Sequence, residues 1–170
     1  LNYNEALEYL QGLTKFGINL GLGRINELLD RLGNPHEKLK GIHVGGTNGK
    51  GSTCAMLSSI LKTAGCKVGT FTSPHLHSYT ERYRLNGKEI HPGDVVALIN
   101  RLRPHLESMV KEGFEHPTEF EVSTAMAFCY FLDQQVDLLV LEVGLGGAID
   151  STNVVSKPLV SVITNVAMDH

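Results

Sequence analysis

The sequence predicts an α/β fold in which a mostly parallel sheet is doubly wound, with helices on both of its faces. Short apolar runs alternate with stretches whose apolar residues recur every three or four positions, the pattern of strands separated by helices. A glycine-rich segment follows the first of these runs, and the apolar run over 136–143 is long enough for a strand buried on both faces. With 170 residues, 42% of them apolar, the chain can form one well-buried domain.

Residue patterns predict the individual elements in order along the chain. Apolar residues at helical spacing predict helices over 3–10, 25–32, 50–64, 95–110 and 120–132. Apolar runs predict buried strands over 41–46, 67–72, 136–143 and 159–164, and Asn86-Gly87 predicts the turn of a hairpin over 83–90. Ile60 is expected on the apolar face of its helix, and Pro104 is expected to kink or restart the fourth helix.

Composition and charge favour a small-molecule function. The net charge is -3 with acids and bases interspersed, which argues against binding to nucleic acid or to an anionic membrane. Cys54, Cys66 and Cys129 are odd in number and widely spaced, a pattern typical of reduced thiols rather than of a zinc site or disulfide framework. The sequence shows neither a basic-then-apolar leader nor an apolar run that could span a bilayer, so a cytoplasmic location is expected.

A glycine-rich segment carries the clearest chemical signal. Gly45-Gly46-Thr47-Asn48-Gly49-Lys50-Gly51-Ser52 lies between a predicted strand and a predicted helix, where backbone N–H groups and the helix N-terminus converge on phosphate oxygens. Lys50 adds a full positive charge for the terminal phosphates. Gly51 follows the lysine where a standard Walker A loop has Ser or Thr, so the segment predicts a variant phosphate-binding loop.

Glu142 ends the longest predicted strand, at the edge of a parallel sheet where ligands bind.

The histidines give a weaker signal of a functional site. His43 lies within a strand and is expected to be a hydrogen-bonded core residue, and His75 is expected to shape the segment around Ser73. The remaining internal histidines show no repeated metal-ligand spacing.

Four motifs of the chain occur together in a known family. They are Thr47-Asn48-Gly49-Lys50-Gly51-Ser52, Thr72-Ser73-Pro74-His75-Leu76, Leu141-Glu142-Val143-Gly144-Leu145-Gly146-Gly147 and Asp169-His170. In order and spacing they resemble the folylpolyglutamate synthase and dihydrofolate synthase family of the Mur ligase superfamily, which implies a P-loop NTPase-like central domain. Family members are much longer, and the sequence starts at Leu1 and stops just beyond a predicted strand. Residues 1–170 are therefore expected to form an ATP-binding domain that is incomplete at its C-terminal end, without the C-terminal glutamate-ligase domain.

The resemblance implies functional residues at the matching positions. Those that would bind ATP are Thr47, Asn48, Gly49, Lys50, Gly51 and Ser52, and Lys50 would also be catalytic. Ser73, Glu142 and His170 would hold Mg²⁺, and the oxygen ligands among them suit that ion. The residues that would contact substrate are Asn19, Leu20, Thr118, Glu119, Phe120, Glu121, Ile149, Asp150 and Ser151. Phe120 fits a place in the helix core almost equally well.

The resemblance also implies the reaction and its partners. It predicts an ATP-dependent ligase of folate biosynthesis and one-carbon metabolism that adds L-glutamate to a reduced folate, and in some members to dihydropteroate, through an acyl phosphate. ATP is a co-substrate, Mg²⁺ is the cofactor, and the full-length enzyme is expected to be a monomer. Asn19 and Ala148 stand where many dihydrofolate synthases have aspartate and arginine, which leaves the preferred pterin open.

Three alternatives remain at this stage. Another Mur-type amide ligase is disfavoured by the segment 118–121 together with Asp150. A P-loop kinase or GTPase is disfavoured by Gly51 and by the lack of an Asn-Lys-x-Asp sequence. A nucleotide-binding module without catalysis is the third.

Overall fold

The computed structural model describes residues 1–19 and 21–167, and these residues form a six-stranded mixed sheet. The strands are β1 (Gly41–Gly45), β2 (Val68–Phe71), β3 (Tyr83–Leu85), β4 (Lys88–Glu89), β5 (Leu138–Glu142) and β6 (Val160–Ile163). Their order across the sheet is β4-β3-β2-β5-β1-β6. The pairs β2/β5, β5/β1 and β1/β6 are parallel, while β3 and β4 form an antiparallel hairpin at one edge. The predicted mostly parallel α/β fold is confirmed.

Five α-helices in the described residues are divided between the two faces of the sheet. They are α1 (Tyr3–Gly12), α2 (Gly23–Arg31), α3 (Lys50–Thr63), α4 (Pro92–Lys111) and α5 (Glu119–Asp133). The helix α3 packs alone on one face, against a small apolar cluster built around Ile42, Val44 and Val140. The other four helices join one large core on the opposite face, which includes Phe71, Leu139 and Leu141 of the sheet.

The buried stripe of α3 is narrower than the sequence predicts. Cys54 is fully buried and Leu57 and Leu61 are partly buried, but Ile60 is 64% exposed and Ala64 is also exposed. Ile60 lies at the margin of the stripe, and Leu57 and Leu61, rather than Ile60, pack against the apolar cluster of the sheet. The expected place of Ile60 on the buried face is therefore wrong.

The helix α5 is the centre of the larger core. Its first turn is fixed by a capping box, in which the Thr118 hydroxyl accepts from the N–H of Glu121 and the Glu121 carboxylate accepts from the N–H of Thr118. Phe131 lies directly over Gly69 in β2, where an added Cβ would lie 2.5 Å from the ring. Glycine at this position lets the helix approach the sheet closely.

The hairpin forms where the sequence predicts it. Asn86 (φ 49°) and Gly87 (φ 82°) both adopt left-handed conformations, the requirement of a type I′ turn between twisted strands. The Asn86 side-chain oxygen also accepts a hydrogen bond of 2.8 Å from the N–H of Val68, which ties the turn back to β2.

Two other expectations are corrected by the structure. The helix α4 is not restarted at Pro104 but continues as one element, since this exposed proline gives up a single backbone hydrogen bond within a long helix that Leu102, Leu106 and Met109 hold in the core. A kink at Pro104 stays a prediction. The strand β6 is exposed rather than buried. Among the described residues it pairs only with β1, and Val160 and Ile163 are half or more exposed.

The three cysteines are free, as predicted. Cys54 and Cys129 are buried, and burial raises the pKa of Cys54 to about 12 and that of Cys129 to about 11, so both remain protonated at neutral pH. No helix within the described part of the chain has the length and apolar character needed to cross a membrane.

We expect Gly69→Ala to lower the free energy of unfolding by about 2 kcal/mol, because the new methyl group overlaps the Phe131 ring and the tightly packed core must shift. Urea denaturation followed by circular dichroism measures the change. Gly41→Ala is the matched control, since its Cβ would meet Val155 and Leu141 at ordinary contact distances of 3.4 and 3.8 Å. Equal stability of the two variants would contradict the close approach.

Candidate functional site

The glycine-rich segment forms a loop that leads from β1 into α3. Gly46 (φ 131°) and Gly49 (φ 80°) adopt conformations that favour glycine, and a Cβ on Gly46 would lie 2.9 Å from the Asn165 carbonyl oxygen. The first hydrogen bond of α3 runs from the N–H of Thr53 to Gly49, at 3.0 Å. The N–H groups of the preceding helical residues have no acceptor within the helix, so they are free for an anion.

The segment after β6 holds this loop in place. The N–H of Thr47 donates to the Asn165 carbonyl oxygen at 2.8 Å, and the N–H of Asn48 donates to the Asn165 side-chain oxygen at 2.9 Å. The Thr164 hydroxyl donates to the Asn48 carbonyl oxygen at 2.6 Å. The sequence prediction missed Thr164 and Asn165, although their position just after a parallel strand was the available signal.

Lys50 lies at the inner side of the loop. Its ammonium group donates to the carbonyl oxygens of Gly46 and Thr47, at 2.8 and 3.3 Å, and it borders an open cavity of about 950 Å³. Of the predicted ATP-binding residues, Thr47 and Lys50 line this cavity. Gly51 instead lines a separate groove between α3 and the β3/β4 hairpin. The opposite wall is the loop 144–148, which follows β5.

Glu142 is a buried carboxylate at the carboxyl end of β5. Burial raises its pKa, against the lowering effects of a hydrogen bond of 3.0 Å from the N–H of Ser73 and of the charge of Lys50. This single contact brings two of the predicted metal ligands, Ser73 and Glu142, together. A buried carboxylate that accepts one hydrogen bond from the protein, from the backbone of a serine, fits the hard-oxygen preference of Mg²⁺ and leaves most of the coordination to phosphate and water.

The third predicted metal ligand, His170, lies outside the described residues, as does Asp169. Within the described ranges, no group of three or more His, Cys, Asp or Glu side chains is arranged to hold a metal ion. A site built from Ser73 and Glu142 would therefore depend on oxygen atoms of a bound ligand.

A second cavity, of about 260 Å³, lies on the other side of the loop after β5. It brings together six of the predicted substrate residues, namely Asn19, Thr118, Phe120, Ile149, Asp150 and Ser151. Ser73 lines it as well, and Gly144 and Leu145 line both this cavity and the larger one. Thus a single loop separates the two cavities, and the metal-ligand candidate Ser73 stands at the border.

Asp150 fixes the conformation of that loop. Its carboxylate accepts hydrogen bonds from the N–H groups of Gly144 (3.0 Å), Leu145 (2.8 Å) and Thr152 (2.9 Å), and from the Thr152 hydroxyl. These four donors match the acceptor capacity of a carboxylate. Asp150 is therefore a structural anchor of the loop, and direct contact with a substrate stays a prediction.

His43 extends the same network to the larger cavity, which it lines. Because the single Thr152 hydroxyl proton is donated to Asp150, the His43 ring donates from Nε2 to the Thr152 oxygen, at 2.6 Å. Burial lowers the pKa of His43, against the opposing charge of Asp150. The prediction of a hydrogen-bonded core histidine is confirmed.

Phe120 packs in the core and also lines the second cavity, so its contact with a substrate stays a prediction. Its ring lines the second cavity and packs against Phe71, with ring centroids 6.1 Å apart. The ring also lies so close to Gly144 that an added Cβ there would be 2.5 Å away.

Glu119 and Glu121 do not reach the second cavity. Glu121 is buried in an ion pair of 3.1 Å with Arg24, and Glu119 pairs with Arg82 at 3.1 Å. Their charges hold the helix start and its neighbours, and their contact with a substrate stays a prediction. Leu20 is outside the described residues.

Two arginines that the sequence prediction missed position the second cavity. Arg24 donates to the Asn19 carbonyl oxygen and to Glu121, which joins the early loop to the start of α5. Arg82 lines the cavity and donates to His75 at 2.9 Å, which confirms the expected shaping role of His75.

The chain matches the Mur ligase middle domain family over residues 44–170. It is 47% identical over 169 residues to a dihydrofolate synthase/folylpolyglutamate synthase of Bacillus subtilis, covering 99% of this chain and 39% of that protein. It is 39% identical to a folylpolyglutamate synthase of Lacticaseibacillus casei, covering 100% of this chain and 40% of that protein. The chain thus spans about two fifths of the length of these relatives.

Solved structures agree with these sequence matches. The crystal structure of a folylpolyglutamate synthase from Thermotoga maritima has a TM-score of 0.90 and 50% identity, covering 97% of this chain and 38% of that one. A folylpolyglutamate synthase complex with AMPPCP and folate has a TM-score of 0.91 and 40% identity, covering 100% of this chain and 42% of that one.

We expect Asp150→Asn to loosen the loop after β5, because an amide NH₂ group would face backbone donors and leave them unpaired. Amide exchange at Gly144 and Leu145, measured by hydrogen–deuterium exchange, should become roughly ten-fold faster. Asp137→Asn is the control, since that exposed carboxylate accepts one N–H, from Lys67, before the start of β5. Unchanged exchange at both amides in Asp150→Asn would contradict the anchor role.

We expect Glu142→Gln to raise the free energy of unfolding at pH 7 when no divalent cation is present. A carboxyl group with a raised pKa binds its proton more tightly in the folded than in the unfolded state, so its ionised form destabilises the fold as pH rises above its ordinary value of 4.5. The increase in the free energy of unfolding should become smaller as the pH falls. Chemical denaturation across pH 4 to 8 measures this increase, and the exposed Glu8→Gln is the control. A loss of stability of Glu142→Gln at neutral pH would contradict the raised pKa of Glu142.

Proposed function

Because the chain belongs to the Mur ligase middle domain family, within its folylpolyglutamate and dihydrofolate synthase group, we propose that the intact enzyme adds L-glutamate to a reduced folate with consumption of ATP. Relatives of this chain are described as complexes with AMPPCP and with folate, which supports ATP and a folate as substrates here. Dihydropteroate is proposed as a second acceptor.

The observation that carries the proposal is the single loop between the two cavities. The phosphate-binding loop and Lys50 lie on one side of it, and the residues of the second cavity lie on the other. Ser73 and Glu142 meet beside this partition. A nucleotide and a folate bound on either side could bring a phosphate and a carboxylate together at the border, which is the positioning that phosphoryl transfer needs.

The proposed reaction has two steps. An oxygen of the substrate carboxylate attacks the γ-phosphorus of ATP, ADP leaves, and an acyl phosphate results. The amine nitrogen of L-glutamate then attacks the acyl carbon, the phosphate group leaves, and loss of the amine proton completes the amide. No protein nucleophile is required. Lys50 and the free N–H groups at the start of α3 stabilise the charge that develops on the transferred phosphoryl group.

Ser73 and Glu142 are the residues that would hold Mg²⁺. The ion would neutralise phosphate charge when nucleotide is bound, and the buried carboxylate explains why a cation would be retained there. In the absence of the ion, Lys50 and the Ser73 N–H are the described groups that offset the Glu142 charge.

The second cavity supports a pterin as the ring that enters it. Phe120 offers an aromatic face, and Asn19, Thr118 and Ser151 offer polar groups at its rim. Asn19 and Ala148 differ from the residues common in dihydrofolate synthases, so we propose the folate as the preferred acceptor over dihydropteroate. A cytoplasmic location and a monomeric enzyme are proposed with it, although one relative is described as a mitochondrial folylpolyglutamate synthase.

The test of the function is an assay of the intact enzyme with ATP, Mg²⁺, L-glutamate and either tetrahydrofolate or dihydropteroate. Mass spectrometry should detect a glutamylated product with one ADP formed for each amide. If the acceptor carboxylate carries ¹⁸O, the released phosphate should contain one ¹⁸O atom, as an acyl phosphate requires. ATP consumption without an amide product from either acceptor would favour a different Mur-type ligase, and nucleotide binding with no ATP consumption would favour a module that only binds nucleotide.

We expect Lys50→Ala to raise the barrier by about 2 to 4 kcal/mol, because one preorganised charge at the transferred phosphoryl group is lost. The ratio kcat/KM should therefore fall by roughly thirty- to a thousand-fold. The exposed Lys38→Ala is the control and should retain normal turnover. Near-normal turnover in Lys50→Ala would remove the glycine loop from the catalytic site.

A further inference from the structure

A polar groove lies between α3 and the β3/β4 hairpin, on the side of α3 away from the larger cavity. Its volume is about 210 Å³. Hydroxyl and cationic side chains from three elements line it, namely Ser58, Ser59 and Lys62 of α3, Thr70 of β2, Thr72 just after β2, and Arg84 of β3. No carboxylate is among its described lining residues, although acidic residues outnumber basic ones in the chain as a whole.

Several hydrogen-bond donors in this groove lack acceptors among the described residues. The Arg84 Nε is buried without a partner there, while the Nη2 atom of the same guanidinium forms a long ion pair of 3.8 Å with Glu89. The Lys62 ammonium forms no ion pair or hydrogen bond among the described residues. The Ser58 and Thr70 hydroxyl groups share a single hydrogen bond of 2.6 Å, which leaves one O–H unused.

This combination points to an anion. The Arg84 Nε is shielded from water and has no acceptor among the described residues, and an oxyanion would supply that acceptor. Lys and Arg together with hydroxyl groups are the donors that proteins use for phosphate and carboxylate groups. Among the described residues, the charges of Lys62 and Arg84 are offset by a single long contact, that of Arg84 with Glu89.

We propose that this groove binds a small oxyanion, either inorganic phosphate or a carboxylate of a γ-linked glutamate chain. Its lining shares no residue with the larger cavity, so the anion can bind while nucleotide is present. Gly51 of the glycine loop closes one end, and Thr72 directly precedes Ser73, so the groove lies beside the site where phosphate and glutamyl groups would be handled. The volume accepts one such group and excludes a nucleotide. The glutamate-chain source rests on the proposed function, and the phosphate source does not.

The experiment uses the intact protein with its nucleotide site filled by a non-hydrolysable ATP analogue and Mg²⁺, at constant ionic strength. Inorganic phosphate is titrated and followed by ³¹P line broadening, and tri-γ-glutamate is then added as a competitor. We expect phosphate binding that weakens at least ten-fold in Lys62→Gln and in Arg84→Gln. The exposed Lys111→Gln is the matched control and should bind normally.

Displacement of phosphate by tri-γ-glutamate would identify the glutamate chain as an occupant, and failure of displacement would identify phosphate alone. Lack of broadening with the nucleotide site filled would overturn the proposal, as would unchanged binding in both variants. Lys62 is exposed on α3, so its replacement tests the groove even if Arg84→Gln folds poorly. Loss of anion binding with retained ligase activity would separate this site from the proposed reaction.

Discussion

Parallel pairing of four strands is the constraint on which the rest of the structure depends. Val44 of β1 pairs with Glu142 of β5, Gly45 pairs with Ile163 of β6, and Phe71 of β2 pairs with Leu141. These registers bring the carboxyl ends of the strands to one edge of the sheet. The glycine loop, Ser73, Glu142 and Asn165 all follow directly from those ends and therefore meet, although they are far apart in the sequence.

Two buried carboxylates at this edge have opposite energetic roles. Asp150 accepts four hydrogen bonds and stabilises a loop that has no regular structure of its own. Glu142 accepts one from the protein, and burial raises its pKa. A carboxylate that the fold leaves undercompensated is a favourable place for a cation, so the local instability of the free site is consistent with a binding role.

The sequence alone predicted the elements whose local chemistry is decisive. The glycine loop, the Asn86-Gly87 turn and the strand ending in Glu142 each depend on neighbouring residues, and all are found where expected. The exposure of β6 could not be predicted in this way, because an apolar run does not reveal whether a second strand or a helix lies beside it. Glu119 and Glu121 belong to a segment that resembles the substrate segment of the family. In the structure, however, Glu121 forms an ion pair with Arg24 and Glu119 forms one with Arg82, and both arginines are distant in sequence. Long-range ion pairs of this kind leave no local pattern.

The contact of Gly144 with Phe120 links the two cavities, so a mutation that changes the shape of one can change the other. Any side chain at Gly144 would push the Phe120 ring, and Gly144 also borders the larger cavity. Mutations that reshape the second cavity at this contact would therefore disturb the wall of the larger cavity as well. Under the proposed function, adaptation to a different acceptor is expected to proceed through positions such as Asn19 and Ile149, which line the second cavity alone and where a change leaves the shared wall intact.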